Sequence, residues 1–173
     1  MLSYNVAALL KSESGAQRTF DVEVDISGID PDLVLTKPLT GRIRLLRTDS
    51  GILATGRLQT EACVPCRRCL ESMTVGVEIE LEEEFRPSID ILTGAAIAPA
   101  DGEDEVTRID GHHILDLTEV VRQSLLLATP ATPLCRPDCR GLCPTCGANL
   151  NQEPCSCQRE EEDPRLAVLR DLL

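Results

Sequence analysis

Aromatic residues are nearly missing from this 173-residue chain, which has two Phe, one Tyr and no Trp. Its core must therefore be built from Leu, Val, Ile and Ala, and base-stacking platforms of the RRM or OB type have no rings to use. No apolar run reaches the roughly 20 residues that span a bilayer. The N-terminus, Met1 to Lys11, has neither a basic start nor a long apolar stretch, so no secretory signal is expected and a cytoplasmic setting follows. Nucleophile–base arrangements and phosphate-cradling glycine loops are also missing: Leu39-Thr-Gly41-Arg and Thr55-Gly56-Arg57 are too short to form one. The chain reads as a non-enzyme.

Positive charge is scarce. Lys and Arg number 17 against 29 Asp and Glu, for a net charge of −12, and the imbalance is uneven. Residues 71–120 hold 14 acids and two bases, whereas residues 37–70 hold two acids and seven bases. Such a chain suits a basic protein partner better than broad phosphate binding. The basic stretch, with Arg42, Arg44, Arg47, Arg57, Arg67 and Arg68, is the one place where RNA would be held.

Alternation marks the strands. Phe20 to Ile26 alternates apolar and acidic residues. Arg42 to Thr48 and Ile52 to Val64 flank the turn Asp49-Ser-Gly51 and read as a hairpin. The clearest strand follows, with Val75, Val77, Ile79 and Leu81 on one face and Glu78, Glu80 and Glu82 on the other. Glu83 and Glu84 extend that acidic run to Phe85. Residues 86–108, rich in Gly, Pro, Ala and acid, read as a mobile acidic loop, and Ile109 to Leu115 as a return to the sheet. Asn5 caps a short helix over Val6 to Lys11. Asp116, with Glu119 three residues on, has the form of a capping box, and the helix it opens carries Leu117, Val120, Val121, Ser124, Leu125 and Ala128 at helical spacing. Pro130 and Pro133 stop it, and Asp163-Pro164 opens a last helix with Leu166, Leu169 and Leu172. The expected fold is α+β: an antiparallel sheet of about four to six strands backed by a helix, over residues 1–133, with a cysteine-rich zinc-binding tail and terminal helix over 134–173 packed on it.

The nine cysteines carry the chemistry. Cys143-Pro-Thr-Cys146-Gly147 has the form of a zinc knuckle, since two thiolates two residues apart chelate one ion from a tight turn and the glycine permits positive φ. Cys66-Arg-Arg-Cys69 is a second pair without the glycine, and Cys135, Cys139, Cys155 and Cys157 complete two four-thiolate sets. The preferred grouping is Cys66, Cys69, Cys135 and Cys139, then Cys143, Cys146, Cys155 and Cys157. One structural zinc held by tail cysteines alone is the rival, and Cys63-Val-Pro-Cys66 is a competing register for the first pair. Four thiolates leave a zinc centre at −2, which Arg67, Arg68, Arg136 and Arg140 would offset. Cys63 reads as a small buried apolar residue. A redox Cys-x-x-Cys would expect a thioredoxin-like helix after it, and here a strand follows. His112 and His113 read as a loop pair without a ligand role.

Several stretches together resemble one family. They are Cys66-Arg-Arg-Cys69-Leu-Glu leading to Glu84-Phe85; Ile109-Asp110; Asp116-Leu117; Leu125 to Pro130; Pro133-Leu-Cys135; Gly141 to Asn151; and Asp163 to Leu166. In this order they resemble the YceD family, once classed as a domain of unknown function. The resemblance implies a non-enzymatic role in accumulation of 23S ribosomal RNA and in making the large ribosomal subunit. It also implies a neighbourhood with ribosomal protein L32, whose gene commonly adjoins that of the family. Joined to the charge pattern, it suggests that Glu78, Glu80, Glu82, Glu83 and Glu84, with the acidic loop, hold a basic ribosomal protein such as L32 or a pre-50S particle. The alternatives are direct contact of the six arginines with 23S rRNA, or an adaptor for an unrelated partner.

Overall fold

The computed structural model describes residues 2–99, 102 and 104–157. The expected helix after Asp163 and the acids Asp101 and Glu103 lie outside the described residues. The chain divides into two compact units, Met1–Val64 with Met73–Ala131, and Pro65–Ser72 with Thr132–Leu173. The first cysteine pair, in the turn between two strands, thus belongs with the tail, as the preferred grouping with Cys135 and Cys139 expects.

In the first unit β1 is Ser3–Asn5, α1 Ala7–Leu10, β2 Gln17–Val24, β3 Val34–Leu35, β4 Leu39–Arg47, β5 Ile52–Pro65, β6 Ser72–Pro87, β7 Arg108–Ile109, β8 Ile114–Asp116 and α2 Thr118–Ala128, with a 3-10 turn at Glu105–Thr107. The main sheet has the order β2-β4-β5-β6-β7, with β3 also on β5, and β1 pairs β8 in a separate two-stranded sheet. The sheet is mixed, not wholly antiparallel: β7 runs parallel to β6 through Arg86↔Arg108 and Pro87↔Ile109. Alternation cannot report this, because a two-residue strand has no period. The same holds for β1 and β3, which the sequence does not announce.

The core is aliphatic, as the composition requires. Leu39, Ile43, Leu45, Ile52, Ala54, Leu58 and Ala62 from the β4–β5 hairpin are fully buried, and Val77, Ile79, Leu81 and Phe85 continue the layer on β6. Leu117, just before α2, and Val121 and Leu125 within it join the same cluster, whereas Ala128 is exposed. Gly51 closes the hairpin against β6, since a Cβ there would lie 2.1 Å from the Phe85 carbonyl oxygen. Within residues 86–108, Asp90 Oδ1 accepts the N–H groups of Leu92 and Thr93 in a tight turn.

The capping box at α2 does not form. Asp116 does cap the start, with its Oδ1 accepting the Thr118 N–H at 2.9 Å, but Glu119 turns away to Arg122. The Arg122 guanidinium donates to both Glu119 oxygens at 2.8 and 2.6 Å and to Asp30 Oδ2 at 2.6 Å. A bidentate pair with a cation outcompetes one backbone N–H. It also ties the Ser27–Asp32 loop to the helix.

These hydrogen bonds from Arg122, then one from Gln123, hold the Glu119 carboxyl at about 2, below its ordinary 4.5. The Asp32 backbone N–H and then Arg122 draw Asp30 down as well. A depressed carboxylate stabilises the fold above its unfolded pKa and loses that contribution as pH falls through the folded value. The trio therefore holds at neutral pH and weakens between about 4.5 and about 2. Arg122→Met is expected to move acid unfolding, followed by circular dichroism, to higher pH; an unchanged midpoint would contradict this account.

Candidate metal centre and charged face

Eight of the nine cysteines meet in two groups, Cys66, Cys69, Cys135 and Cys139, and Cys143, Cys146, Cys155 and Cys157, with the sulfurs of each group within 4.8 Å of one another. In the first group Cys66 Sγ lies 3.8 Å from Cys139 Sγ, and Cys69 Sγ lies 3.7 Å from Cys135 Sγ. A tetrahedral centre with metal–sulfur bonds of about 2.3 Å has sulfur–sulfur edges of about 3.8 Å. The donor set and its spacing therefore fit a four-coordinate thiophilic ion. Both groups lie within the second unit. Cys66, Cys69 and Cys139 are buried, whereas in the second group only Cys143 is.

The two Cys-x-x-Cys turns are built alike. Cys143 N–H donates to the Ala148 carbonyl at 2.8 Å, and Gly147 N–H to the Cys143 carbonyl at 2.9 Å. In the other turn Cys66 N–H donates to the Glu71 carbonyl at 2.9 Å, and Leu70 N–H to the Cys66 carbonyl at 2.9 Å. Gly147 has φ +74° and Leu70, at the same position, φ +61°. The missing glycine thus does not mark a weaker turn. Leucine is forced into the left-handed region, with its side chain 62 % exposed.

Backbone N–H groups aim at the sulfurs. Those of Cys69, Cys135 and Arg68 bring the Cys66 thiol down to about 6, and those of Cys146 and Thr145 do the same for Cys143. Other members move the opposite way. Burial, then the neighbouring thiols, pushes Cys135 up to about 12. The Cys146 contact and then burial push Cys157 to about 12. Without a cation, each group ionises only in part, so loading an ion expels protons.

Around the sulfurs the polar contacts converge on Asn149 and Asn151, which the cysteine pattern alone does not single out. Asn151 Nδ2 donates to Cys139 Sγ at 3.3 Å, and Asn149 Nδ2 to Glu71 Oε1 at 3.0 Å. Two arginine side chains reach oxygen beside the sulfurs: Arg68 Nη1 donates to the Cys139 carbonyl at 2.9 Å, and Arg136 Nη2 to Asn151 Oδ1 at 2.7 Å. Cys63 is half-buried on β5 opposite Val34, outside both groups. His112 and His113 lie in the turn before β8, away from the cysteines in sequence and in a different unit.

The charged residues form a mosaic on the open side of the sheet. Arg42 of β4 stands opposite both Asp21 of β2 and Arg57 of β5. Arg42 Nε meets Asp21 at 2.8 Å, and Arg57 pairs with Glu78 at 3.2 Å and with Glu80. Acid, base, base and acid thus follow one another across four strands. Arg44 Nε reaches Thr55 Oγ1 at 3.3 Å. Glu84 accepts from Thr48 Oγ1 at 2.8 Å and from Ser50 Oγ at 2.5 Å, so it belongs to the hairpin turn. Arg47 donates to the Gly51 carbonyl at 2.9 Å in that same turn. Glu82 and Glu83 are exposed. Arg67 and Arg68 belong to the second unit, so the six arginines do not share one unit. No helix among the described residues is long and apolar enough to cross a membrane.

Leu70→Gly isolates the cost of the strained turn. A left-handed L-residue costs roughly 1–2 kcal/mol, offset by up to ~1 kcal/mol of backbone entropy that glycine loses on folding. The variant is expected to gain up to about 1 kcal/mol in denaturant unfolding of the full chain. Destabilisation instead would show that the Leu70 side chain is needed by its neighbours.

Residues 54–173 match the family described as large ribosomal RNA subunit accumulation protein YceD. An uncharacterized protein of Mycobacterium bovis is 35 % identical over 131 residues, covering 76 % of this chain and 60 % of its own length. A maize protein named large ribosomal RNA subunit accumulation protein YCED homolog 1, chloroplastic, is 29 % identical over 160 residues, covering 78 % of this chain and 52 % of its own. An Arabidopsis protein of the same name is 38 % identical over 58 residues, covering 34 % of this chain and 18 % of its own. The chain thus spans about half to three-fifths of the length of the mycobacterial and maize relatives. No solved structure matches. With the match extending from β5 through both cysteine groups, the chain belongs to the YceD family of large ribosomal RNA subunit accumulation proteins.

Proposed function

We propose that this protein is a non-enzymatic factor of the cytoplasm that supports 23S rRNA accumulation and large-subunit assembly by holding a basic segment of a ribosomal protein, such as L32, or of a pre-50S particle. In this reading each cysteine group holds a structural Zn²⁺. The zinc reading is supported by the all-thiolate donor set and the sulfur spacing.

The observation that carries the partner reading is the outer edge of β6. That strand runs 16 residues, yet β7 pairs with it only at Arg86 and Pro87. Among the described residues, Thr74 to Glu82 has no strand on that side. An unpaired edge is a template for an added strand. Glu78, Glu80 and Glu82 stand on one face of it, and an extended segment with Lys or Arg at every second position would place its cations along them. The Arg57 pairs with Glu78 and Glu80 are exposed, and such pairs are weak enough to be shared with an incoming cation.

A second reading follows from the register. Arg42 and Arg57 lie side by side with Arg44 one row on, a basic strip at the centre of the face that would meet phosphate. Capture from cells at low salt, with protein and RNA both identified, separates the two. Recovery of a large-subunit ribosomal protein or pre-50S particle, reduced at least several-fold by Glu78→Gln, Glu80→Gln and Glu82→Gln together, is the expected result. Recovery of 23S RNA that withstands those changes but is lost with Arg42→Ala, Arg44→Ala and Arg57→Ala would transfer the contact to RNA, and recovery of neither would sink both readings.

A further inference from the structure

We propose that Asn151 is a positioning residue that couples the two cysteine groups, so that an ion bound by Cys143, Cys146, Cys155 and Cys157 tightens binding at Cys66, Cys69, Cys135 and Cys139. The inference rests on the reading of both groups as metal sites.

The orientation of the Asn151 carboxamide is dictated by its surroundings. Its Oδ1 accepts the Arg140 backbone N–H at 2.8 Å and Arg136 Nη2 at 2.7 Å. With the oxygen committed to two donors, the amide nitrogen must face the other way, where it donates to Asn149 Oδ1 at 2.9 Å and to Cys139 Sγ at 3.3 Å. That N–H···S bond holds the Cys139 sulfur where it lies within 4.8 Å of the other three. Such a contact behind a ligand sets its orientation, so losing it loosens the first group.

What places Asn151 is the turn that carries Cys143 and Cys146. Asn149 bridges Leu142 at the base of the Cys143 turn. Ala148 accepts the Cys143 N–H at 2.8 Å, and Leu150 N–H donates to the Gly141 carbonyl at 2.9 Å. Asn149 Oδ1 also accepts the Asn151 backbone N–H at 3.0 Å. Closing Cys143 and Cys146 around an ion orders this short ladder, and Asn151 is its last rung. Glu71 ties the same segment to the first turn by accepting from Asn149 and Gln152 and meets Cys69 Sγ at 3.9 Å, but as an acceptor it has no hydrogen to give a metal-bound sulfur. The side-chain donor that this segment brings to a first-group sulfur is that of Asn151. Linkage makes the effect reciprocal, so filling the first group favours the second.

The test is a Co²⁺ titration of the full chain, stripped of metal under reducing conditions. Binding is read by sulfur-to-cobalt charge-transfer absorption and quantified against a competing chelator. Cys155→Ser with Cys157→Ser removes the second site and is expected to weaken Co²⁺ at the first by roughly 10–100-fold. Asn151→Ala is expected to cause a similar loss at the first site, and the triple variant no further one. Asn151→Asp, which keeps the size but replaces the N–H donor with a carboxylate that repels the thiolates, is expected to lose at least as much as Asn151→Ala. First-site affinity that ignores the second site, or losses that multiply in the triple variant, would overturn the coupling and leave the metal reading intact. Absence of any charge-transfer absorption would overturn the metal reading, and the coupling with it.

Discussion

Four sulfurs within 4.8 Å of one another cannot all carry negative charge unless something positive sits among them. Much of the second unit answers that constraint. Backbone N–H groups turned toward Cys66 and Cys143 draw those thiols down, while burial and then the neighbouring thiols push Cys135 up and the Cys146 contact and then burial push Cys157 up. The two turns reach one geometry from different sequences, one with Gly147 in the left-handed region and one with Leu70 forced into it. The hydrogen bonds that flank Cys66 over-determine the turn, which is how a strained residue persists.

The two groups differ in what they close. Cys143 to Cys157 is a short local loop. The first group joins residues about 70 apart, since Cys66 meets Cys139 across 73 positions and Cys69 meets Cys135 across 66. All of β6, β7, β8 and α2 lies in the chain between them. An ion there would remove the conformational freedom of a long loop from the unfolded chain, an effect that grows only slowly with length. The buried group is thus the one with long-range consequence, and the more exposed group is the one that places Asn151.

On the sheet, the governing fact is that charged residues are read one strand at a time in sequence but meet across strands in space. β6 alone is a row of glutamates. Beside it stands Arg57, opposite Arg57 stands Arg42, and beyond Arg42 stands Asp21. Two cations directly opposite each other would be destabilising, and the flanking acids relieve this. The face is consequently a mosaic and not a patch of one sign, and the unpaired edge of β6, more than the charge of its face, distinguishes it as a contact surface.

The sequence by itself determined the parts whose signal is local. Alternation gave away β4, β5 and β6, helical spacing gave α2, and the Cys-x-x-Cys pairs announced thiolate chemistry, because each follows from residues a few positions apart. Tertiary structure decided whatever depends on chain path. The parallel pairing of β7, too short to show a period, is one case; the reassignment of Glu119 from a backbone cap to Arg122 is another. A third is the choice between the preferred grouping of Cys66 and Cys69 with Cys135 and Cys139 and its rival of tail cysteines alone, which sequence spacing left open. Leu70 shows the division most plainly. Nothing in a leucine signals positive φ, and only the requirement that Cys66 and Cys69 face one common point, together with the hydrogen bonds that close their turn, puts it there.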